Sequence, residues 1–314
     1  MRILNIFYIL FSLLFFAFQV SYGQAVRLAQ AEKFGKYGYL NPKGEAVIPL
    51  EFDNACFFGE GLVALYKSDW GSGAGKWGYY DFTGKNVIPF IFDGADTFHE
   101  NLAGARQGKL WGFINKTGNF IIKPAFERIY YFSEGLCGVR INKKWGFVDK
   151  TGRMVITPQF DDVTVFKDGV ARVFLKTGYD ENRNVPVGMW GLIDKTGKTV
   201  VNPQFQKIGD FFQGLACVEI KRSHKHFTKK GFINTKGEWV IEPIFDEASN
   251  FSEGLVAVGI ARIDTNPKPE LNLVTYPDIN LSYGYLDRQG KKVTDFVFEQ
   301  ATDFQSERAV VRTF

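Results

Sequence analysis

The stretch Lys144-Trp145-Gly146-Phe147-Val148-Asp149-Lys150-Thr151-Gly152 constrains this chain more than any other, because its pattern recurs seven times and little else is present. Taking the last glycine of the stretch as origin, the copies lie at Gly44, Gly84, Gly118, Gly152, Gly197, Gly237 and Gly290. Three residues before each stands Asn41, Asp81, Asn115, Asp149, Asp194, Asn234 or Asp287. Six before is a second glycine, Gly38, Gly78, Gly112, Gly146, Gly191, Gly231 or Gly284, usually preceded by Trp or Tyr. Eight after comes Phe52, Phe92, Phe126, Phe160, Phe205, Phe245 or Phe298, and fourteen after comes Phe58, Phe98, Phe132, Phe166, Phe211, Phe251 or Phe304. Columns held in step through seven copies define a tandem repeat.

Within one copy the alternation of Trp145, Phe147 and Asp149 with Gly146 and Val148 predicts a strand with two distinct faces. Asp149-Lys150-Thr151-Gly152 then predicts a type I turn, with the Asp side chain bonding the backbone and Gly supplying the left-handed residue. A second strand follows, such as Val87-Ile88 or Val240-Ile241, ended in six copies by Pro49, Pro89, Pro124, Pro158, Pro203 or Pro243; proline lacks the N–H a ladder needs and so stops the strand or confines it to an edge. Copy seven has Asp295-Phe296 there and reads as a degenerate terminal unit. A compact connection between the two Phe columns leads to a third strand, such as Leu136-Cys137-Gly138-Val139, which turns back into the next copy. Each unit is therefore a meander of three antiparallel strands, or four if the Phe-Asp connection also pairs.

Successive Trp-Gly glycines are spaced 40, 34, 34, 45, 40 and 53 residues apart, a unit of 34 with insertions. Nearly all the added length falls in the loop from the third strand into the next Trp-Gly strand, at Lys67 to Gly75, Lys176 to Gly188, Lys221 to Thr228 and Arg262 to Leu281. Insertions at one equivalent loop place variable chemistry on one side of a repeat array, often its binding side.

The chain begins with one positive charge, Arg2, then a long apolar run to Val20 and small residues at Ser21 and Gly23. This predicts a secretory signal over residues 1–23, the rival being an uncleaved anchor. No Cys lies near the cut, so a lipoprotein is not expected. Without Arg2 the balance is 37 basic to 34 acidic residues, which gives no reason to expect nucleic acid. Cys56, Cys137 and Cys217 are odd in number and read as free thiols acting as small apolar side chains rather than disulfides.

A 34-residue unit of the form Trp-Gly-Phe-Ile-Asp-Lys-Thr-Gly, then Val-Ile-x-Pro, Phe-Asp and Phe-Ser-Glu-Gly-Leu-Ala resembles the WG-repeat family of mainly bacterial proteins. Residues 111–139, 145–173 and 190–218 carry the likeness most plainly, and Tyr37, Lys230 and Tyr283 depart from it in the Trp column. The resemblance implies an all-β repeat array, often exported, with binding rather than a general enzymatic activity, and it brings no catalytic residues. The expected architecture is seven tandem antiparallel β-meander repeats, as a seven-bladed β-propeller or alternatively an open β-solenoid. The array fills residues 24–314, with units near 36–66, 76–106, 110–140, 144–174, 189–219, 229–259 and 282–312.

Trp77, Trp111, Trp145 and Trp190 read as packing residues rather than a sugar-binding ladder, each Gly beside them leaving room for a neighbouring indole. Trp70 lies in a Ser/Gly-rich insert out of register. His224 and His226 share a strand face, but two imidazoles do not make a metal site, and the basic run Lys221, Arg222, Lys225, Lys229 and Lys230 reads as a solvated loop. The turn Asp and Asn residues are explained by turn chemistry without calcium. With no nucleophile elbow, phosphate loop or zinc-protease helix, the expectation is no catalytic, cofactor or metal residues. The function expected is an exported, monomeric binding scaffold for a protein or glycan partner, with no membrane contact beyond the signal. The alternative is a hydrolase of cell-wall or surface polysaccharide using carboxylates such as Asp180, Glu181 or Asp264 from the inserts.

Overall fold

A computed structural model describes residues 28–68, 74–181, 185–221, 228–261 and 281–313. The segment expected to be a signal, residues 1–23, and Trp70, His224, His226 and Asp264 lie outside these residues. All regular structure among the described residues is β, in seven antiparallel sheets, so the repeat arithmetic of the sequence holds. Two compact units divide the chain: residues 1–142 with 148–154, and residues 143–147 with 155–314.

A typical sheet has four strands in sequence order: Asn54–Ala55, Leu62–Ser68, Gly75–Asp81 and Asn86–Phe92. The first strand is the Phe-Asp connection of the preceding copy, which does pair, so each sheet draws on two successive copies. The first sheet has three strands, beginning at Ala29–Lys33, and the last has five, ending at Val311–Thr313.

The prolines do not stop the fourth strand; they lie on a strand at the sheet edge, the other outcome expected of them. Asn86–Phe92 runs straight through Pro89 to the Phe column, and the register slips between Trp77↔Phe92 and Tyr79↔Ile88. Two partner residues thus oppose a longer stretch of the outermost strand, a bulge at which a missing N–H costs no ladder bond. The same slip recurs at Trp111/Phe113, Trp190/Leu192 and Lys230/Phe232. It also corrects the reason for the Trp-Gly glycine. A Cβ on Gly112 would lie 2.4 Å from the Ile122 carbonyl oxygen and 2.7 Å from Pro124 N, so the glycine accommodates the bulged backbone rather than an indole.

Both Phe columns face inward. Phe52, Phe92, Phe126, Phe160, Phe205 and Phe245 are buried, as are Phe98, Phe132, Phe166, Phe211 and Phe251, and only Phe58, Phe298 and Phe304 of the end copies are half-exposed. In every copy but the fifth, where it is Leu192, the residue after the Trp-column glycine is aromatic and meets the second Phe edge-on: Phe113–Phe132 at 4.8 Å, Phe147–Phe166 at 4.8 Å, Phe232–Phe251 at 5.0 Å. Where that residue is Tyr, its buried hydroxyl donates to a backbone carbonyl, Tyr79 to Asp96 O and Tyr285 to Thr302 O, both at 2.8 Å, so no polar atom is left unpaired there.

The turn glycines have a second duty. Gly84 to Gly290 all hold φ near +80°, and a Cβ on Gly84 would fall 2.2 Å from Val47 O, on Gly118 2.9 Å from Ile88 Cγ2 and on Gly237 2.2 Å from Val201 Cγ2. Each of these turns therefore packs directly on the last strand of the preceding sheet.

Candidate functional site

The two ends of every sheet are built differently. At the Asp-Lys-Thr-Gly end, one carboxyl oxygen saturates the turn: Asp149 Oδ1 accepts from Thr151 N at 3.0 Å, Thr151 Oγ1 at 2.6 Å and Arg153 N at 3.1 Å. Those bonds, led by the Thr151 hydroxyl, pull the Asp149 carboxyl down to about 2. Asn41 and Asn234 make the same backbone bonds through Oδ1, which is why a carboxamide serves as well as a carboxylate. At this end too, the Phe-Ser-Glu-Gly-Leu segment closes as a two-residue hairpin with positive φ at Glu60 and Gly61. Its carboxylate reaches the next sheet: Glu60 accepts from Asn101 N at 2.9 Å and pairs with Lys116 at 3.1 Å, and Glu100 accepts from Gly135 N at 3.0 Å and pairs with Lys150 at 2.8 Å.

At the opposite end, where the inserts arise, a Lys–Asp clamp recurs that was not read from the sequence. The residue before Trp-Gly is Lys36, Lys76, Lys144 or Lys229, and it pairs with the Asp that follows the first Phe column, Asp53, Asp93, Asp161 or Asp246. The second oxygen of each Asp accepts the backbone N–H fifteen residues on: Ser68 at 2.8 Å, Gly108 at 2.6 Å, Lys176 at 2.9 Å and Ala261 at 2.8 Å. Those N–H groups lie at the roots of the next hairpins, three of which carry inserts. The clamp holds Asp53 down to about 2, through the Lys36 ammonium first and then Ser68. Lys76 and the Gly108 N–H lower Asp93 likewise. Burial alone would raise Asp161, but Lys144 and the Lys176 N–H outweigh it and keep its carboxyl below the usual range. The signal was present as a joint change of two columns: where Lys gives way to Leu110, Met189 or Ser282, Asp gives way to Glu127, Gln206 or Glu299. The two Glu residues turn to Arg140 at 3.5 Å and Arg312 at 3.0 Å. Met189 and Gln206 put a thioether and a neutral amide where the ion pair stands elsewhere.

The insert at Lys176 to Gly188 is regular where it is described. Val170–Asp180 and Val185–Asp194 pair as one long hairpin out to Asp180↔Val185, with one irregularity between Lys176 and Gly178. The flanking strands stop short of it, at Asp162↔Phe174 and Trp190↔Phe205, so the outer part is a two-stranded ribbon clear of the sheet. It carries Leu175, Tyr179, Val185 and Val187 at 37–48% exposure. An open groove of about 690 Å³ runs beside it, lined by Asp161, Asp162, Phe174, Lys176, Asp180, Val185, Pro186, Val187, Gly188, Trp190 and Gln206. Of the predicted site candidates it gathers Asp180 and Trp190, and Glu181 sits exposed at the end of the strand pair. Asp162 Oδ1 caps its neighbour, accepting from Val163 N at 2.9 Å.

The Trp column is less buried than the sequence predicts. Trp145 is inside, at 6% exposure, but Trp77, Trp111 and Trp190 are half-buried, each covered on one side by the residue opposite it across the strands. Tyr66 lies 5.4 Å from Trp77, Arg106 lies over Trp111 at 5.8 Å, and Phe174 lies 5.2 Å from Trp190. The three cysteines are free thiols, as expected. Cys137 is buried, and burial pushes the thiols of Cys56 and Cys217 up to about 12 and about 11.

Fold and site together define a tandem antiparallel β-repeat scaffold. The family model for the WG containing repeat matches seven segments, residues 37–69, 77–111, 111–145, 145–176, 190–221, 231–260 and 283–313, and the chain belongs to that family. No curated protein matches it. Among solved structures, one titled as the eukaryotic initiation factor is similar over 85% of this chain and 73% of its own, with TM-score 0.51 and 11% identity, a likeness of fold alone. The β-propeller domain of the Trilobed protease from Pyrococcus furiosus covers 78% of this chain and 83% of itself at TM-score 0.39 and 12% identity. Kluyveromyces lactis Hsv2 covers 77% and 76% at TM-score 0.32 and 12% identity.

Proposed function

We propose that the protein is an exported, monomeric, non-catalytic scaffold that binds a protein or glycan partner through the loops inserted between its repeats. The carrying observation is the clamp: the framework spends a charged side chain on fixing the roots of hairpins whose outer parts vary in length and chemistry. A fixed root limits the conformational entropy a loop must lose on binding. The ribbon at Lys176 to Gly188 adds exposed aliphatic and aromatic side chains on an ordered support, a pattern common at binding surfaces. Export rests on the charge and apolar run of residues 1–23.

The hydrolase alternative draws on Asp161, Asp162 and Asp180 sharing one groove. Glycoside hydrolysis needs one carboxylic acid kept protonated, and Asp161 is instead held ionised by Lys144. Screening the mature chain on glycan and surface-protein arrays tests the reading. Binding that disappears when inserts are shortened supports it, whereas release of reducing ends from a polysaccharide, or array binding indifferent to every insert, overturns it.

A further inference from the structure

Beside the Lys176 to Gly188 ribbon the groove lacks an ion pair that the equivalent positions of copies one, two, four and six have. There the space before the Trp column is spanned by a lysine-to-aspartate ion pair. Here Met189 and Gln206 leave no fixed charge between the two strands, and Gln206 lines the groove next to Trp190. A position that holds a charged pair elsewhere thus offers an amide, which both donates and accepts, and the half-buried indole of Trp190 stands beside it, with Phe174 5.2 Å away.

Resting on the scaffold reading above, we propose that this groove is a subsite for a neutral saccharide. The indole and ribbon wall meet the apolar face of a pyranose ring, Gln206 exchanges hydrogen bonds with its hydroxyls, and the Asp162 carboxylate accepts them. The chemistry of the lining selects this class. Two of the charged groups at the groove already have partners, the carboxylate of Asp161 in Lys144 and the Lys176 N–H and the Lys176 ammonium over the Tyr179 ring at 4.8 Å. Hydroxyl groups satisfy carboxylates and an amide without bringing a net charge into the site. The volume, about 690 Å³, accommodates a short oligosaccharide rather than one ring alone.

The test is calorimetric titration of the full mature chain with cellotetraose, tetra-N-acetylchitotetraose and mannotetraose, with a tetra-arginine peptide as charged counter-probe. One of the three sugars is expected to bind and to shift tryptophan fluorescence. Met189→Lys combined with Gln206→Asp restores the ion pair of the other copies across the groove and is expected to weaken that binding at least tenfold with an unchanged melting temperature. Gln206→Ala, a milder change, is expected to weaken it severalfold. Binding of the peptide alone, no binding of any of the three sugars, or sugar binding untouched by the double variant overturns the proposal. Array binding that persists in the double variant but is lost on shortening another insert overturns this subsite while leaving the scaffold reading standing.

Discussion

Replacing Phe132 by Ala tests the repeat architecture at one side chain. Phe132 is 2% exposed and packs with Phe113, Phe126, Val139 and Val148. Burying a phenyl group removes roughly 150–200 Å² from water, about 4–5 kcal/mol as an upper bound, of which the alanine methyl retains about 1. Losing the edge-on contact with Phe113 at 4.8 Å costs about 1 more. The expected loss is therefore about 3–5 kcal/mol, in line with core Phe→Ala changes generally. Phe304 occupies the same column in copy seven but is half-exposed, touching Tyr285 at 5.1 Å. The same substitution there should cost about half as much. Urea unfolding followed by tryptophan fluorescence reads both. Equal losses, or an unchanged midpoint for Phe132→Ala, would show that the columns are not layered inside and out as described.

Three further outcomes follow from the clamps, the turns and the thiols. Because Asp53, Asp93 and Asp161 are all held below their unfolded values, their contribution is complete above about pH 4 and is lost as pH falls toward 2; the urea midpoint should drop across that window, and in Asp53→Asn the drop should be smaller, with about 1 kcal/mol already lost at neutral pH. Gly44 and Gly84 share φ of +82°, but an added Cβ meets nothing within 4 Å at Gly44 and Val47 O at 2.2 Å at Gly84, so Gly44→Ala should cost about 1 kcal/mol and Gly84→Ala about 2–4; equal costs would remove the turn-on-strand contact from the account. Cys137 should resist a thiol reagent at pH 8 in the folded chain and react once urea unfolds it, and rapid native labelling would contradict its burial.

The repeat, its turn type and its aromatic core were legible because each depends on one residue type in one place. Gly152 sits at φ of +86°, where glycine is favoured, and Phe166 fills a site with 0% exposure. The proline bulge was not legible: Pro89 reads as a strand stop or an edge-strand residue, and only pairing to the Trp-Gly strand shows that the ladder continues past it with a register slip. The half-burial of Trp190 depends on which residue faces it across the strands, and Phe174 is sixteen residues away in sequence. The Lys–Asp clamp joins residues seventeen apart with ordinary surface chemistry, and it emerges from sequence only when the Lys and Asp columns are followed together through all seven copies. The groove was out of reach, since its walls come from strand ends and an insert whose pairing no local propensity encodes.

The central claim is that the repeats form a framework indifferent to what its inserts carry. Copy four shows the minimal connection, a two-residue turn with positive φ at Asn142 and Lys143. Replacing residues 176–188 by Asn-Lys gives copy five that same connection. The measurement is the unfolding midpoint and far-ultraviolet dichroism of this shortened chain together with its binding to the array hits of the intact one. The account predicts a folded β protein with a midpoint close to the parent and with binding through the ribbon abolished. An unfolded chain would contradict the framework, and undiminished binding would contradict the role assigned to the ribbon.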